Sequence, residues 1–376
     1  IEGEGLPRNV LRDVLQLTYK DSIKELDSFE ITVNNWDAEK NRFKYIELDI
    51  EKPKEEKVPE CQWCHLFEPC NKEVEVSMGY VGNLRLMLTG NFTTMEPNFP
   101  NSGAPTLNVR GLNILHKLRT KQKSNSWRKK RDSDIVKNLE KKGFKLPIHT
   151  DNEAKEDEEP LEFLSQRNQY DIDFIFSRAR VRGYVVYIEE GGTNGKKQKQ
   201  LYFGPSQENG IPGFRDVTFE LAWGTSLIDF KPTLTTANQI RSVTVRGWVR
   251  SSGNSVSETV TIDQLKKKIN KDLNDFIEKC DPREEVVEDE PVFNQRQAKR
   301  RAEAILMDRH KEMVKASGTT IGLPDLRAGR KVLIKGVGKL FSGIYFVTDT
   351  THTINDSGYI TRFNARREHE EMGKQS

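Results

Sequence analysis

The chain has 376 residues and a formal net charge of +3, with 60 Lys and Arg against 57 Asp and Glu. This near-balance excludes a uniformly basic nucleic-acid coat and a uniformly acidic protein, and the length allows about two to three folded units. Mean hydropathy is low, at −0.72, yet 18 Phe, 9 Tyr and 5 Trp exclude a disordered chain.

The sequence shows neither a membrane span nor an export signal. No stretch approaches the ~20 apolar residues that a transmembrane helix needs. The first five residues (IEGEG) are acidic and lack the basic and apolar regions of a signal peptide. Four Cys do not form a disulfide scaffold in a chain of this length. We therefore expect a soluble protein that is made in a reducing cytoplasm.

Period-two alternation of apolar residues predicts a β unit in the first hundred residues. Strands are predicted at 28–33, 43–50, 73–80 and 83–88, and a stretch rich in Pro, Asn, Gly and Ser at 97–105 ends the unit.

Helices are predicted after this β unit. Leu112, Leu115 and Leu118 have helical spacing, and Ser133 and Asp134 are suited to cap a short helix.

The remainder of the chain alternates again between strand and helix. Residues 173–187 predict a helix and a strand, and residues 217–250 and the last sixty are predicted to be β, with 243–249 the clearest strand. One helix is predicted between them. Asn294 and Gln297 resemble a capping box, and Ser317 with Gly318 is predicted to end this helix. The fold class is therefore α+β and rich in β structure.

A cysteine cluster gives the sharpest local motif, CQWCH at 61–65 with a third Cys at 70. The pattern matches c-type haem attachment, but haem attachment requires export, for which the sequence gives no sign. A structural zinc site formed by Cys61, Cys64, Cys70 and His65 is a second interpretation. Free thiols or a disulfide are the third. No cofactor is required by any other motif.

A basic segment at 117–131 permits a nucleic-acid interpretation. It contains Trp127 and the basic patch, which comprises Lys121, Lys123, Arg128, Lys129, Lys130 and Arg131. Phosphate contacts and one stacking ring would suit a nucleic acid. A solvated or partner-facing surface is the alternative, since an acidic run at 151–159 can neutralise the segment.

Motifs of enzymes are not found. The sequence has no Gly-x-Ser-x-Gly elbow, no His-Glu-x-x-His and no Walker loop. The glycines at 336, 338 and 343 do not have dinucleotide-binding spacing, and His116 and His352 suit packed histidines better than catalytic bases. An effector with a hidden hydrolase site has no motif to support it, and we predict that the chain is not an enzyme.

Several segments together resemble the phage late-control D family, which includes baseplate hub proteins of contractile tails and the N-terminal hub half of VgrG spike proteins. The C-terminal segments are GTTIGLPDLRAG at 318–329, FSGIYFVT at 341–348, TH at 351–352 and GYITRF at 358–363. The upstream segments are VEVSMGY at 74–80, SDIV at 133–136 and NQYDIDF at 168–174. These segments follow the order of the family from about residue 14 to 367.

The resemblance implies two small β-barrel-like domains with α/β material between them, and a homotrimer that forms a pseudo-sixfold ring. We place the first domain at 1–102, the intervening domain at 103–206 and the second at 207–376, with an inserted linker and helix at about 251–318. The cysteine cluster is not part of the family pattern, which suggests an insertion loop. VgrG proteins continue into a spike, so the resemblance implies that the spike is a separate polypeptide here.

The resemblance also implies the role and the partners. The homotrimer would join the hexameric tail tube to the central spike in a phage tail or injection particle, beside baseplate wedge or tape-measure components. For pairing of strands between subunits we predict segments 73–80, 243–249 and 343–348, with these residues: Val74, Val76, Val243, Val245, Tyr345 and Val347. The competing hypothesis is a nucleic-acid-binding β-barrel protein that uses the basic patch.

Overall fold

The structure is a computed structural model. It describes residues 1–47, 62–69, 72–141, 146–152, 155, 158–191, 198–206, 218–249, 253–268, 283–288, 292 and 294–367.

The first β unit is an antiparallel sheet in the order β1-β2-β7-β6-β5. Its elements are helix α1 (Arg8–Asp13) and strands β1 (Val14–Ser22), β2 (Ser28–Asn34), β3 (Trp36–Asp37), β4 (Arg42–Phe43), β5 (Glu73–Tyr80), β6 (Asn83–Asn98) and β7 (Thr106–Asn113). Strand β2 alternates between buried and half-buried residues, as its period-two pattern predicts. The strand predicted at 43–50 is wrong for the described residues 44–47, because the pairing with β3 stops at Phe43 and residues 44–46 form bends.

The middle unit packs helices on a small sheet. It contains a 3-10 helix (Ile114–Arg119), strand β8 (Lys123–Trp127), helix α2 (Asp132–Lys141), strands β9 (Ile148–Thr150) and β10 (Leu164–Gln169), helix α3 (Asp171–Arg182), and strands β11 (Val185–Gly191) and β12 (Gln198–Gly204). Strands β11, β12 and β9 form one sheet, and β10 pairs with β8. The predicted helix after Ser133 is confirmed, whereas Leu112 belongs to β7 and only Leu115 and Leu118 are helical.

The last unit is the second β unit. Its elements are β13 (Phe219–Ala222), β14 (Leu227–Leu234), β15 (Ile240–Val249), β16 (Asn254–Thr261), a 3-10 helix (Ile262–Lys268), β17 (Arg283–Val287), helix α4 (Gln295–Lys311), β18 (Val314–Ile321), β19 (Lys331–Lys335), β20 (Gly343–Asn355) and β21 (Gly358–Arg366). Strands β16, β15 and β17 form a separate sheet that is covered by α4.

Helix α4 begins as predicted and ends earlier than predicted. The Asn294 side chain accepts a hydrogen bond of 2.8 Å from the Gln297 backbone N–H, which caps the first turn. The helix ends at Lys311, and Ser317 and Gly318 lie inside strand β18. The prediction of the helix end was wrong because β18 pairs with β14 on one side and β21 on the other, and this pairing outweighs local helix propensity.

A single sheet of eleven strands connects the two β units. Its main path runs β14-β18-β21-β20-β1-β2-β7-β6-β5, and β19 and β13 attach beside β20. The connection is the antiparallel pairing of β1 with β20, from Gln16 opposite Asn355 to Ser22 opposite Asp349. The α+β, β-rich fold class is confirmed. Among the described strands no sheet closes into a barrel, because β1 uses its second edge for β20.

Candidate functional site

A buried ionic junction lies where the three units meet, and Asp21 of β1 is at its centre. The Asp21 Oδ2 atom accepts hydrogen bonds from Arg327 Nε at 2.7 Å and from the Ala328 backbone N–H at 3.1 Å. The Oδ1 atom accepts from the backbone N–H of Thr350 at 3.1 Å and from its hydroxyl. Asp21 belongs to the first β unit, whereas Arg327 and Ala328 belong to the last one. These hydrogen bonds therefore connect the two β units.

Arg327 is held by the first unit on several sides. Its Nη2 atom donates to the Tyr19 hydroxyl and to the Met87 carbonyl oxygen at 2.8 Å. The guanidinium carbon also lies 4.7 Å from the centre of the Tyr19 ring, within range of a cation–π interaction. Asp21 and Arg327 are only 5% and 7% exposed, so a substrate has little access to them.

Two adjacent glutamates of β11 bring the middle unit into the same junction. Glu189 accepts a hydrogen bond from Arg330 of the last unit. Glu190 accepts two hydrogen bonds of 3.0 Å from Thr89 of β6, one from the backbone N–H and one from the hydroxyl. Glu189 therefore contacts the last β unit, and its neighbour Glu190 contacts the first β unit.

Burial shifts the pKa of several junction groups. It raises the pKa of Glu189 and Glu190 above the usual value, despite the opposing charge of Arg330 and the hydrogen bonds from Thr89. Burial alone would lower the pKa of Arg327, but its interactions with Tyr19, Asp21 and Asp27 outweigh burial and hold that pKa above the usual value. Arg327 is therefore a fixed cation between buried acidic groups.

His352 is a packed histidine next to the junction, as the sequence predicts. Its Nε2 atom lies 2.9 Å from the Leu326 carbonyl oxygen, and its Nδ1 atom lies 2.9 Å from the Tyr359 hydroxyl. Burial lowers the pKa of His352 to about 4, so the ring is neutral at pH 7. His116 is half-buried and its Nδ1 atom lies 2.8 Å from the Asn113 carbonyl oxygen.

The sequence reasoning missed the junction. Perturbed pKa values are typical of functional sites, but they also occur in structural ion-pair networks, and burial makes this cluster structural. One signal could have been found. Tyr19, Asp21 and Ile23 occupy alternate positions that point inward, so a charged residue stands on a buried face.

The strands predicted to pair between subunits occupy different places in the sheets. Val243 and Val245 lie in β15, which is paired with β16 on one side and β17 on the other. Val347 pairs with Ala365 and also exchanges backbone hydrogen bonds with residues 329 and 330, and Tyr345 pairs with β19. Both strand edges are therefore used within the chain at Val243, Val245 and Val347, and the pairing with β19 uses one edge at Tyr345.

Strand β5 differs, because it is the last strand of the main sheet and pairs only with β6 among the described strands. Val74 and Val76 point inward and are buried at 3% and 5% exposure, so their side chains belong to the core of the first unit. The second backbone edge of β5 pairs with no other described strand.

The cysteine cluster is described only in part. Cys61 and Cys70 lie outside the described residues, whereas Cys64 is buried and disulfide-bonded. A sulfur in a disulfide is not the thiolate that zinc requires, so the zinc hypothesis does not fit Cys64 in this state. His65 is exposed, and its Nδ1 atom lies 2.6 Å from a Glu68 carboxylate oxygen, which raises the pKa of His65.

The basic patch surrounds strand β8. Its exposed members are Lys121, Arg128, Lys129 and Lys130, while Arg131 is half-buried. The half-buried Lys123 forms an ion pair with Asp171. The ring of Trp127 stacks on Phe174, with centroids 5.3 Å apart, so this ring is already engaged within the chain and is not an open platform for a base.

An exposed apolar tip stands at the turn between β5 and β6. Val81 is fully exposed, and Tyr80 and Leu84 are 50% and 63% exposed. The Tyr80 hydroxyl donates to the Gly322 carbonyl oxygen at 3.0 Å, which places the tip beside Ile321, itself exposed. None of the described helices is both long and apolar enough to cross a membrane.

Several solved structures share this fold. The 43 kDa tail protein of prophage MuSo2 from Shewanella oneidensis superposes with a TM-score of 0.63 at 12% identity, over 94% of each chain. The tail protein from Neisseria meningitidis MC58 gives the same TM-score and identity, over 94% of this chain and 92% of that one. The E. coli c3393 protein, a type VI secretion component similar to T4 tail proteins gp27 and gp5, gives a TM-score of 0.55 at 13% identity, over 99% and 76%.

The chain thus has the fold of phage tail proteins, which confirms the resemblance at the level of the fold. By sequence, residues 14–356 match the family described as Alg8 N-terminal domain, and the chain belongs to this family. No curated protein matches the chain by sequence.

Proposed function

We propose that the chain is a structural baseplate hub of a contractile phage tail or a phage-like injection system. In this proposal three copies form the adaptor between the hexameric tail tube and the central spike, and the hub contacts wedge or tape-measure components. The protein is made in the bacterial cytoplasm and incorporated into the particle. Its role is mechanical and requires no catalysis.

The observation that carries the proposal is the extent of the shared fold. The superposition on the Shewanella oneidensis tail protein covers 94% of both chains, so it includes both β units and the middle unit. An adaptor under load must not bend between its units. The continuous sheet and the buried junction of Asp21, Arg327 and Glu189 provide that stiffness, because both would have to break for one unit to move.

Two surfaces are suited to contacts within the particle. The outer edge of β5 can add a strand from a neighbouring subunit, because β6 is its one partner strand among the described strands. At the start of this edge the Glu73 carbonyl oxygen accepts a hydrogen bond of 2.8 Å from the Glu2 backbone N–H. The apolar tip at Tyr80, Val81 and Leu84 stands at the end of the same strand. Exposed apolar groups of this kind commonly mark protein contacts.

The division into units at 1–102, 103–206 and 207–376 stays part of the proposal. Three clusters of buried apolar side chains support three units. One lies between Val10 and Val109, one between Leu115 and Phe203, and one between Leu221 and Ala365. The first cluster extends past residue 102 because β7 pairs with β2 and β6, and a fourth cluster, with Ile23, Tyr187 and Phe346, spans all three units. We expect limited proteolysis to cut between these clusters before it cuts within them.

Co-purification tests the proposal. We would co-express the chain with the candidate spike and tube proteins encoded beside it, and purify through a tag on the spike. A stable complex with rings of threefold symmetry in negative-stain images is expected. If neither the spike nor the tube protein retains the chain in any combination, the hub proposal is wrong.

The nucleic-acid alternative has one supporting observation, the four exposed cations Lys121, Arg128, Lys129 and Lys130. If it is correct, binding to single-stranded or duplex DNA weakens steeply with salt, and neutralising residues 128–131 flattens that dependence. The hub proposal predicts no such change.

A further inference from the structure

A groove of about 470 Å³ lies on the solvent-facing side of the last unit. It crosses β14, β18, β21 and β20, which are neighbours in the main sheet, and it reaches the turn between β1 and β2. The proposed function does not use this groove. Its lining residues are Ser22, Lys24, Lys231, Thr233, Glu312, Lys315, Ala316, Ser317, Thr348, Asp349, Asn364, Ala365 and Arg366.

Cations exceed anions in the groove by two. Each of the strands β14, β18 and β21 contributes one cation and the turn after β1 contributes another, whereas the carboxylates come from the segment after α4 and from β20. The cations are Lys231, Lys315, Arg366 and Lys24, and the anions are Glu312 and Asp349. Since all the other lining side chains are polar or alanine, the groove suits a charged ligand rather than an apolar one.

The two anions are already engaged. Glu312 forms an ion pair with Lys315, and its Oε1 atom lies 3.9 Å from Lys24 Nζ. Burial would raise the pKa of Glu312, but the hydrogen bond and charge of Lys315 lower it below the usual value. Asp349 accepts hydrogen bonds from the Thr348 hydroxyl at 2.9 Å and from Asn364 Nδ2 at 2.6 Å.

Lys231 is the cation that remains available. It is exposed, and it forms no ion pair with any described residue. It also lies on β14, which is the terminal strand at this end of the main sheet. A ligand that enters over this edge therefore meets Lys231 first and then Lys315 on the next strand.

The length of the groove indicates the shape of the ligand. Neighbouring strands lie about 4.8 Å apart, so the distance from β14 to β20 is about 14 Å. An extended peptide rises about 3.3 Å per residue, so about four residues fit, with alternate side chains pointing towards the sheet. A single small anion would leave most of these polar groups without a contact.

We propose that this groove binds an extended acidic segment of a partner protein, with carboxylates at alternate positions that face Lys231 and Lys315. A nucleic acid fits less well for two reasons. The described lining residues include no aromatic side chain on which a base could stack. A peptide backbone has N–H groups that can donate hydrogen bonds to the Glu312 and Asp349 carboxylates, whereas a sugar-phosphate backbone has no N–H donors.

Fluorescence anisotropy tests the proposal with the full chain. The probe is a fluorescein-labelled peptide of alternating Gly and Glu, and the comparison peptide has Gln in place of Glu. We expect the Glu peptide to bind and the Gln peptide to bind at least about tenfold more weakly. Equal binding of the two peptides, or no binding of the Glu peptide at low salt, overturns the proposal. So does tighter binding of a short single-stranded oligonucleotide.

Variants locate the binding. The double variant Lys231→Gln, Lys315→Gln should weaken binding of the Glu peptide at least about tenfold. Ser317→Glu places a carboxylate in the middle of the groove and should also weaken binding of the Glu peptide.

The matched control is Lys335→Gln, because Lys335 is also exposed but pairs with Glu220 outside the groove. If Lys335→Gln weakens binding as much as the double variant, the site is not this groove. Thermal unfolding of each variant confirms that it is folded.

Discussion

Arg327 donates a hydrogen bond of 2.7 Å to Asp21, although the two residues are 306 positions apart in the sequence. The bond joins the first strand of the chain to the loop before β19, and both residues are buried. Together with the pairing of β1 and β20, it joins the two β units. Stability of the whole chain should therefore depend on this pair.

Replacing Arg327 by Met should destabilise the protein by about 3–5 kcal/mol, because the substitution leaves the buried Asp21 carboxylate without its cation. The free energy of unfolding in urea measures this change. Arg362→Met is the matched control, since Arg362 is exposed on β21, and it should cost less than about 0.5 kcal/mol. A similar loss in both variants would mean that the buried ion pair contributes nothing specific.

The protein should lose stability between about pH 6.5 and pH 4 through His352. Burial lowers the pKa of His352 to about 4 in the folded state, whereas an unfolded histidine titrates near about 6.5. The unfolded state therefore binds more protons in this window, and stability falls as the pH falls, by about 3 kcal/mol in total. Above about pH 6.5 the contribution of His352 to the free energy of unfolding no longer changes with pH.

The variant His352→Gln isolates this effect, because glutamine does not titrate and its amide can still donate to the Leu326 carbonyl oxygen. Other buried groups, such as Glu189 and Glu190, have raised pKa values and act with the opposite sign. The informative quantity is the difference in unfolding free energy between the two proteins, measured from pH 7 to pH 4. If this difference does not change with pH, His352 is not buried as a neutral ring.

Gly90→Ala should destabilise the first unit by about 1–3 kcal/mol. A Cβ atom at position 90 would lie 1.9 Å from the backbone carbonyl oxygen of Leu112 on the neighbouring strand, and a backbone atom cannot move away easily. At Gly5 a Cβ atom would meet nothing within 4 Å, so Gly5→Ala serves as the control and should change stability little. Equal midpoints of thermal unfolding for Gly90→Ala and the unmodified chain would contradict the close pairing of β6 and β7.

Val81→Lys should weaken assembly without changing the stability of the isolated chain. Val81 is fully exposed at the apolar tip, so a lysine there costs no packing, but it would bring a charge into any contact that the tip makes. Co-purification with the spike and the tube protein measures the effect. Val286→Lys, at an exposed position on β17, is the control. If both variants assemble normally, the tip is not a contact surface.

Local pattern in the sequence predicts local structure well. Strand β5 was predicted with its observed bounds, because its alternation of apolar and polar residues reflects one buried face. The start of α4 was predicted from its cap. The end of α4 was not, because β18 gains its stability from two partner strands that are distant in sequence.

The junction and the sheet path depend on contacts that no local pattern contains. Asp21 occupies an inward position of a strand, which is a visible anomaly, but its partner Arg327 cannot be inferred from spacing. In the same way, the pattern of β15 predicts a strand but does not tell whether its edges are used within the chain or between subunits. The prediction of inter-subunit pairing at Val243 and Val245 lacked this information.

The native mass of the chain, co-expressed with its candidate spike, tests the hub proposal most directly. The proposal predicts three copies of the 43.3 kDa chain, about 130 kDa in addition to the mass of the spike. A chain that stays monomeric in the presence of the spike and the tube protein would contradict it.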